Sequence, residues 1–119
     1  MATRSHIAYQ DKETNKIHMV YCHWDGYLSY NGKVLLRHYN EYDKIVKLIS
    51  KGDFSSLYED IERVDYYDEH KDTKPTIYDK EQDMAKEEYN YLFKNNKWYY
   101  CKWNEKEFKP LQSEDVKCK

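Results

Sequence analysis

The chain has 119 residues, a formal net charge of −2, and 35% charged residues. This length predicts one domain, residues 1–119, with a small core. The near balance of charge gives no basic signal, so we do not expect direct nucleic-acid binding. No apolar run approaches the roughly 18 residues of a membrane span, and three widely spaced cysteines are typical of a reducing compartment. We therefore expect a cytoplasmic protein without membrane contact.

Two short runs near the start are rich in residues that favour strands. They cover residues 4–10 and 16–23, and the polar residues 11–15 between them have turn chemistry. This pattern predicts a β-hairpin. The second run is largely apolar on both alternating faces, so we expect it to be a central strand.

Helices are predicted in the middle of the chain. The first covers about residues 33–51, with a break or kink near Asn40 and Gly52 at its C-terminal end. Its second half carries an apolar stripe formed by Tyr42, Ile45, Val46 and Ile49. Two further helices are predicted at about residues 57–64 and 79–89, and the polar, acidic stretch between them reads as a long surface loop.

A second hairpin is the clearest local signal. Strands at 89–94 and 97–103 flank Asn95-Asn96, a dipeptide that tolerates positive φ. Residues 105–119 are expected to fray. Hairpins at both ends and helices between them predict an α+β fold: an antiparallel sheet from the N-terminal and C-terminal hairpins, with helices packed on one face. The chain's fourteen tyrosines, several in this hairpin, favour a surface for self-association into a homo-oligomer.

The segment YCHWDGYLSYNG, residues 21–32, is the strongest candidate for a ligand-binding loop. Its aromatic rings can stack on a flat ligand, its Asn-Gly step can present backbone N–H groups to an anion, and a following helix adds positive charge. The spacing matches neither of the common glycine-rich phosphate motifs. A purely structural role, with Trp24 and Tyr27 as core anchors, is the competing interpretation. The candidate ligand-binding residues are Trp24, Asp25, Tyr27, Tyr30, Asn31, Gly32, Arg37 and His38.

Catalytic and metal-binding interpretations have weaker support. Cys22 and His23 are adjacent, so on a strand their side chains point to opposite faces, and no paired cysteine spacing occurs. A triad of Cys22, His38 and Asp25 can be drawn, but no nucleophile signature accompanies it. We therefore predict no metal, no cofactor and no catalytic residue, and we consider an enzyme the less favoured class.

An acidic, tyrosine-rich segment offers a different kind of site. Carboxylates interleaved with aromatic rings can mimic a nucleic-acid surface and occupy a protein that binds one, although such a run is more often a solvated surface. The residues predicted for this partner-binding alternative are Asp65, Tyr66, Tyr67 and Asp68.

The run CHWDGYLSYNGKVLLRHYN at residues 22–40 resembles a family of small, largely uncharacterised proteins encoded by bacteriophages. The resemblance covers residues 3–57, including TRSHIAY before the run and GDFSSL after it, and its core is WDGY-x₃-NG. It implies a phage accessory protein acting in the host bacterial cytoplasm, and it supplies no catalytic residues. Small phage proteins of this size often counter host defences.

Three functions follow from these features and this resemblance. The leading expectation is a protein that binds and sequesters a nucleotide-like signalling molecule. The first alternative is an inhibitor that uses the acidic segment to occlude a host defence protein that binds nucleic acid. The second alternative is a small hydrolase acting on a nucleotide signal.

Overall fold

The computed structural model describes residues 3–66 and 74–116. Within them the chain forms eight strands and two helices, so α and β structure are mixed and the sheet dominates. The strands are β1 (Ser5–Gln10), β2 (Ile17–Cys22), β3 (Phe54–Ser56), β4 (Asp65–Tyr66), β5 (Thr76–Tyr78), β6 (Tyr89–Lys94), β7 (Lys97–Lys102) and β8 (Lys109–Pro110). The helices are α1 (Lys33–His38) and α2 (Tyr42–Ser50). No helix in this part of the chain is long and apolar enough to cross a membrane.

All eight strands belong to one sheet with the order β4-β3-β2-β1-β6-β7-β8, and β5 pairs with β2. Strand β1 pairs antiparallel with β2 but parallel with β6, from Ser5 opposite Tyr89 to Tyr9 opposite Phe93. The expectation of a purely antiparallel sheet is therefore wrong, because the sheet is mixed. A short turn forces antiparallel pairing within each hairpin, whereas two hairpins joined by a long connection can also meet in parallel.

The C-terminal hairpin forms where the Asn-Asn step indicates it. Asn95 and Asn96 have φ values of 52° and 61°, the pair of positive angles that a type I′ turn requires. Strands β6 and β7 pair in continuous register from Tyr89 opposite Lys102 to Lys94 opposite Lys97. The local turn chemistry thus determines the register of the hairpin.

The predicted helix over 33–51 is two helices separated by three non-helical residues, 39–41, near the break expected at Asn40. Tyr39 leaves the helical region, with φ −121° and ψ 67°. Its hydroxyl donates to the Tyr58 carbonyl at 2.6 Å, and its own carbonyl accepts from the indole N–H of Trp98 at 2.8 Å. The bond from Trp98 takes the place of the helical hydrogen bond that the Tyr39 carbonyl would accept in a continuous helix, and the hydroxyl bond anchors the side chain.

The predicted helices over 57–64 and 79–89 do not form. The first segment contains only a single 3₁₀ turn at Ile61–Arg63. The second contains a similar turn at Glu81–Asp83, and β6 already begins at Tyr89. The second segment has few apolar positions, so a helix there would bury little surface. In the first segment, Leu57 and Val64 are already buried in the main cluster with only the 3₁₀ turn between them.

The two faces of the sheet bury different clusters. Both helices pack on one face, where a large cluster includes Ile7, Val20, Leu35, Leu48 and Tyr91. The other face carries a smaller cluster of Ala8, Ile17, Met19 and Leu92, covered by Met84 with Tyr78 and Phe108.

The C-terminal segment is anchored further than its sequence indicates. Strand β8 pairs with β7, and both Leu111 and Val116 are buried. The prediction that the chain frays from residue 105 is therefore wrong for residues 105–116. Residues 117–119 lie outside the described part. Apolar anchors spaced through a polar segment are sufficient to hold it on the sheet.

The buried histidine of β1 should make stability depend on pH. His6 bonds the Ala85 carbonyl through Nδ1 at 2.9 Å, and burial lowers the pKa of His6 below 6.5, although Glu87 and Asp53 oppose the shift. As the pH falls below about 6.5, the unfolded chain binds this proton before the folded chain does, so the free energy of unfolding decreases. Once the pH lies below the folded pKa, this contribution stops changing.

Urea unfolding between about pH 7 and about pH 5.5 measures the effect. We expect His6→Gln to flatten the decline, whereas the half-buried control His18→Gln should leave it in place. An unchanged slope in His6→Gln would assign the pH dependence to other groups.

Candidate functional site

The loop after β2 lies tightly against the end of the sheet. The Trp24 N–H donates to the Ser55 carbonyl at 2.9 Å, and the Gly26 N–H donates to the Thr3 carbonyl at 2.8 Å. The buried hydroxyl of Tyr91 donates to the Gly26 carbonyl at 2.6 Å. The loop therefore has a fixed path, and its central glycine is part of the protein interior.

Asn31 and Gly32 are buried rather than open to a ligand. They end a π-helical turn, Leu28–Gly32, that runs directly into α1. The Asn31 N–H donates to the Asp25 carbonyl at 3.1 Å, and the Gly32 N–H points to the Tyr27 carbonyl at 3.5 Å. These N–H groups are already used within the chain, so the anion contact predicted at this step has no free donors.

The Asn31 side chain instead ties the loop to two strands. Its Nδ2 lies 3.1 Å from Ser5 Oγ and 3.4 Å from Cys22 Sγ. Asp25, with φ 57°, occupies the left-handed region and accepts a hydrogen bond from the Tyr27 hydroxyl at 3.3 Å. Both polar residues of the motif therefore support the conformation of the loop.

A groove of about 270 Å³ lies beside α1 and contains three of the predicted site residues, Tyr30, Arg37 and His38. Positions four apart fall on one helical face, and this places Ser29, Lys33 and Arg37 in one row and Tyr30, Val34 and His38 in the next. Glu59 closes the opposite side. The full lining is Ser29, Tyr30, Lys33, Val34, Arg37, His38 and Glu59.

The two walls of this groove are joined by hydrogen bonds. Lys44 Nζ donates to the His38 carbonyl at 2.7 Å and to the Glu59 carbonyl at 3.1 Å. The Tyr30 hydroxyl donates to the Leu57 carbonyl at 3.0 Å. These bonds fix the distance between α1 and the segment before the 3₁₀ turn, so the groove is formed before any ligand arrives.

The electrostatics of the groove are mainly positive. His38 Nε2 lies 3.2 Å from a Glu59 carboxylate oxygen. No carboxylate of the described residues forms an ion pair with Lys33 or Arg37. Burial raises the pKa of the Tyr30 phenol, so that side chain is a neutral ring and donor at physiological pH. The groove therefore offers two unpaired cations, one neutral ring and one carboxylate.

The remaining predicted rings lie elsewhere. Trp24 is 45% exposed and Tyr27 is 38% exposed, and neither lines the groove. The Trp24 ring meets the His23 ring edge-on, with 4.7 Å between centroids. The predicted binding loop therefore has three parts. Asn31 and Gly32 are buried, Trp24 and Tyr27 are exposed away from the groove, and Tyr30 lines the groove.

Of the four residues predicted for the partner-binding alternative, only Asp65 and Tyr66 lie within the described residues. Tyr66 packs edge-on against Phe54, and its hydroxyl donates to the Leu48 carbonyl at 3.0 Å. Burial raises the pKa of Tyr66 to about 12, as expected for a core phenol. Asp65 is exposed and accepts a hydrogen bond from the Ser55 hydroxyl, while residues 67 and 68 (Tyr67 and Asp68) lie outside the described residues.

The thiol of Cys22 is poorly suited to nucleophilic chemistry. It is fully buried, its Sγ lies 3.5 Å from the Trp24 carbonyl, and burial raises its pKa to about 11. The reactive thiolate is therefore scarce at neutral pH. His38 lies at the exposed groove and pairs with Glu59, so the triad drawn from the sequence is not assembled. Within residues 3–66 and 74–116, no group of three or more His, Cys, Asp or Glu side chains could hold a metal ion.

Four groove residues were not predicted, namely Ser29, Lys33, Val34 and Glu59, and two of them are charged. Lys33 stands four residues before Arg37, so helical spacing alone was a usable signal for it. Glu59 reaches the groove through tertiary packing, and no local pattern indicates it.

Comparison with protein-family models, with curated proteins and with solved structures found no match. The protein is therefore a mixed α/β protein with a small groove beside its first helix, lined by basic side chains and the Tyr30 ring.

Proposed function

We propose that this protein is a phage accessory protein that binds and sequesters a nucleotide-like signalling molecule in the groove beside α1. The observation that carries the proposal is the presence of two cations, Lys33 and Arg37, that form no ion pair with a described carboxylate and lie next to the neutral ring of Tyr30. Arg37 is well suited to phosphate, because its planar fork can bind two oxygens at once and no carboxylate of the described residues occupies it.

The carboxylate of Glu59 favours a nucleotide over a bare phosphate. A negative charge on one wall would repel an anion that filled the whole groove, but it can accept hydrogen bonds from sugar hydroxyls. In this arrangement the phosphate lies against Lys33 and Arg37, the sugar lies towards Glu59, and the base packs on Tyr30. A volume of about 270 Å³ holds roughly one nucleotide unit, since ligand pockets begin near this size.

Sequestration needs affinity without turnover. A pre-formed groove supports affinity, because less ordering is required when the ligand binds. The Cys22 thiol does not line the groove, and burial raises its pKa, which supports binding over hydrolysis. The host bacterial cytoplasm remains the proposed setting and rests on the resemblance to phage proteins.

Calorimetric titration tests the proposal, with a panel of nucleoside monophosphates, cyclic dinucleotides and inorganic phosphate as ligands. We expect at least one nucleotide to bind and inorganic phosphate to bind far more weakly. Arg37→Ala should weaken nucleotide binding about 10- to 100-fold, the loss expected for a hydrogen bond between charged groups. The matched control is Lys47→Ala, an exposed cation of α2 that does not line the groove.

Two further measurements complete this test. Heat release and mass spectrometry of the bound molecule should recover it intact, first with the panel nucleotide and then with protein isolated from phage-challenged cells. A fragmented ligand would favour the hydrolase alternative. Failure of the whole panel to bind, or equal affinity in Arg37→Ala and the parent, would contradict the proposal.

A further inference from the structure

Three of the five large apolar side chains that are exposed in the described part lie at one end of the sheet. They are Trp24, Tyr27 and Trp103, and Trp103 is the most exposed of them at 69%. The groove beside α1 uses none of the three. A large exposed apolar patch on a monomer often marks an interaction surface, so this end of the sheet is a candidate for one.

Backbone hydrogen bonds place these residues in order across the sheet end. Trp24 follows the end of β2, and the Tyr89 N–H donates to the Arg4 carbonyl just before β1. The Trp103 N–H donates to the Glu88 carbonyl just after β7. With strands about 4.8 Å apart, the backbones of Trp24 and Trp103 lie about 14 Å from each other. The order across this end is therefore Trp24, Arg4, Glu88 and Trp103.

The two charges between the tryptophans are opposite and adjacent. Arg4 and Glu88 are both exposed, and the Arg4 backbone N–H lies 3.4 Å from a Glu88 carboxylate oxygen. No described carboxylate forms an ion pair with the Arg4 guanidinium. A surface with one charge of each sign between two aromatic flanks complements a copy of itself that is turned by 180°.

We propose that this sheet end is the interface of a two-fold symmetric homodimer. Arg4 of one copy faces Glu88 of the other, and each Trp103 packs against the Trp24 and Tyr27 side of the second copy. The three rings expose about 300 Å² of aromatic surface, taking about 200 Å² for a whole ring side chain. That area suits the apolar centre of a small interface with a charged rim, whose dissociation constant lies in the micromolar range.

Sedimentation velocity across the micromolar concentration range tests the interface. We expect the parent protein to show a monomer–dimer equilibrium and Trp103→Ala to weaken it by at least about tenfold, as for a central tryptophan. The matched control is Ile77→Ala, because Ile77 is 54% exposed but lies on β5. Circular dichroism checks that each variant is folded, which is expected because Trp103 contributes little to the core.

A charge exchange tests the two-fold symmetry itself. Arg4→Glu and Glu88→Arg should each weaken the dimer, because each places like charges opposite one another. Arg4→Glu combined with Glu88→Arg should restore the dimer. A parent protein that stays monomeric throughout, a Trp103→Ala variant that dimerises normally, or a double variant without recovery would each overturn the proposal. All three outcomes are independent of whether the groove binds a nucleotide.

Discussion

Gly26→Ala is expected to lower the free energy of unfolding by about 3 kcal/mol, at the upper end of the usual cost of overpacking. A Cβ at this position would lie 2.8 Å from the Ser5 Cβ and 2.8 Å from the Thr3 carbonyl oxygen. Both contacts belong to β1 or the residues just before it, so the loop would have to move away from the sheet. That movement would also stretch the hydrogen bond from the Tyr91 hydroxyl to the Gly26 carbonyl.

Gly32→Ala is the matched control for this steric effect. Its new Cβ would meet Tyr91 and Val116 side-chain atoms at 3.3 Å, so these atoms need to move by only a few tenths of an ångström, less than the backbone contacts at Gly26 require. Gly32 is helical, and alanine favours a helix over glycine by about 1 kcal/mol, which offsets the crowding. Urea unfolding of both variants should separate them clearly. Similar stabilities would mean that the loop after β2 is more adaptable than its hydrogen bonds indicate.

Leu48→Ala is expected to cost about 3 kcal/mol of unfolding free energy, the middle of the range for a buried leucine. Leu48 is fully buried in the cluster between α2 and the sheet. Truncation would remove apolar contacts and leave a cavity that the paired strands cannot easily fill. The carbonyl of Leu48 also accepts a hydrogen bond from the Tyr66 hydroxyl, so any shift of the helix would disturb β4 as well.

Val46→Ala provides the comparison on the same helix. Val46 belongs to the apolar stripe that the sequence indicates, but it is only half-buried in the structure. We expect its truncation to cost about 1 kcal/mol, because less apolar surface returns to water. Chemical denaturation monitored by circular dichroism measures both variants. If Val46→Ala were the more damaging change, the orientation of α2 on the sheet would differ from the one described here.

The WDGY-x₃-NG motif of residues 24–32 has a mainly structural role in this chain. Gly26, Asn31 and Gly32 are buried, and Asp25 adopts a left-handed backbone conformation. The motif builds a closed loop that connects β2 to α1. Its functional contribution is indirect, because this connection orients the outward face of α1 on which Lys33 and Arg37 stand.

The sequence by itself determined the elements whose signals are local. The Asn95-Asn96 turn and its flanking strands follow from positive-φ tolerance and strand-favouring residues. Helix α2 follows from apolar residues at helical spacing, although Leu48 rather than Val46 is the fully buried one. For the candidate site, the sequence identified Tyr30, Arg37 and His38, since they belong to one aromatic and basic segment.

Only the tertiary structure decided the remaining features, because each depends on contacts between distant residues. The parallel pairing of β1 with β6 joins strands separated by most of the chain. Segment 79–89 stays non-helical because it has too few apolar residues to stabilise a helix. Segment 57–64 lies between β3 and β4, which pair with each other, and its buried Leu57 and Val64 pack on the main cluster without a helix. Glu59 enters the groove, and Asn31 leaves it for the core, through hydrogen bonds that no local pattern encodes.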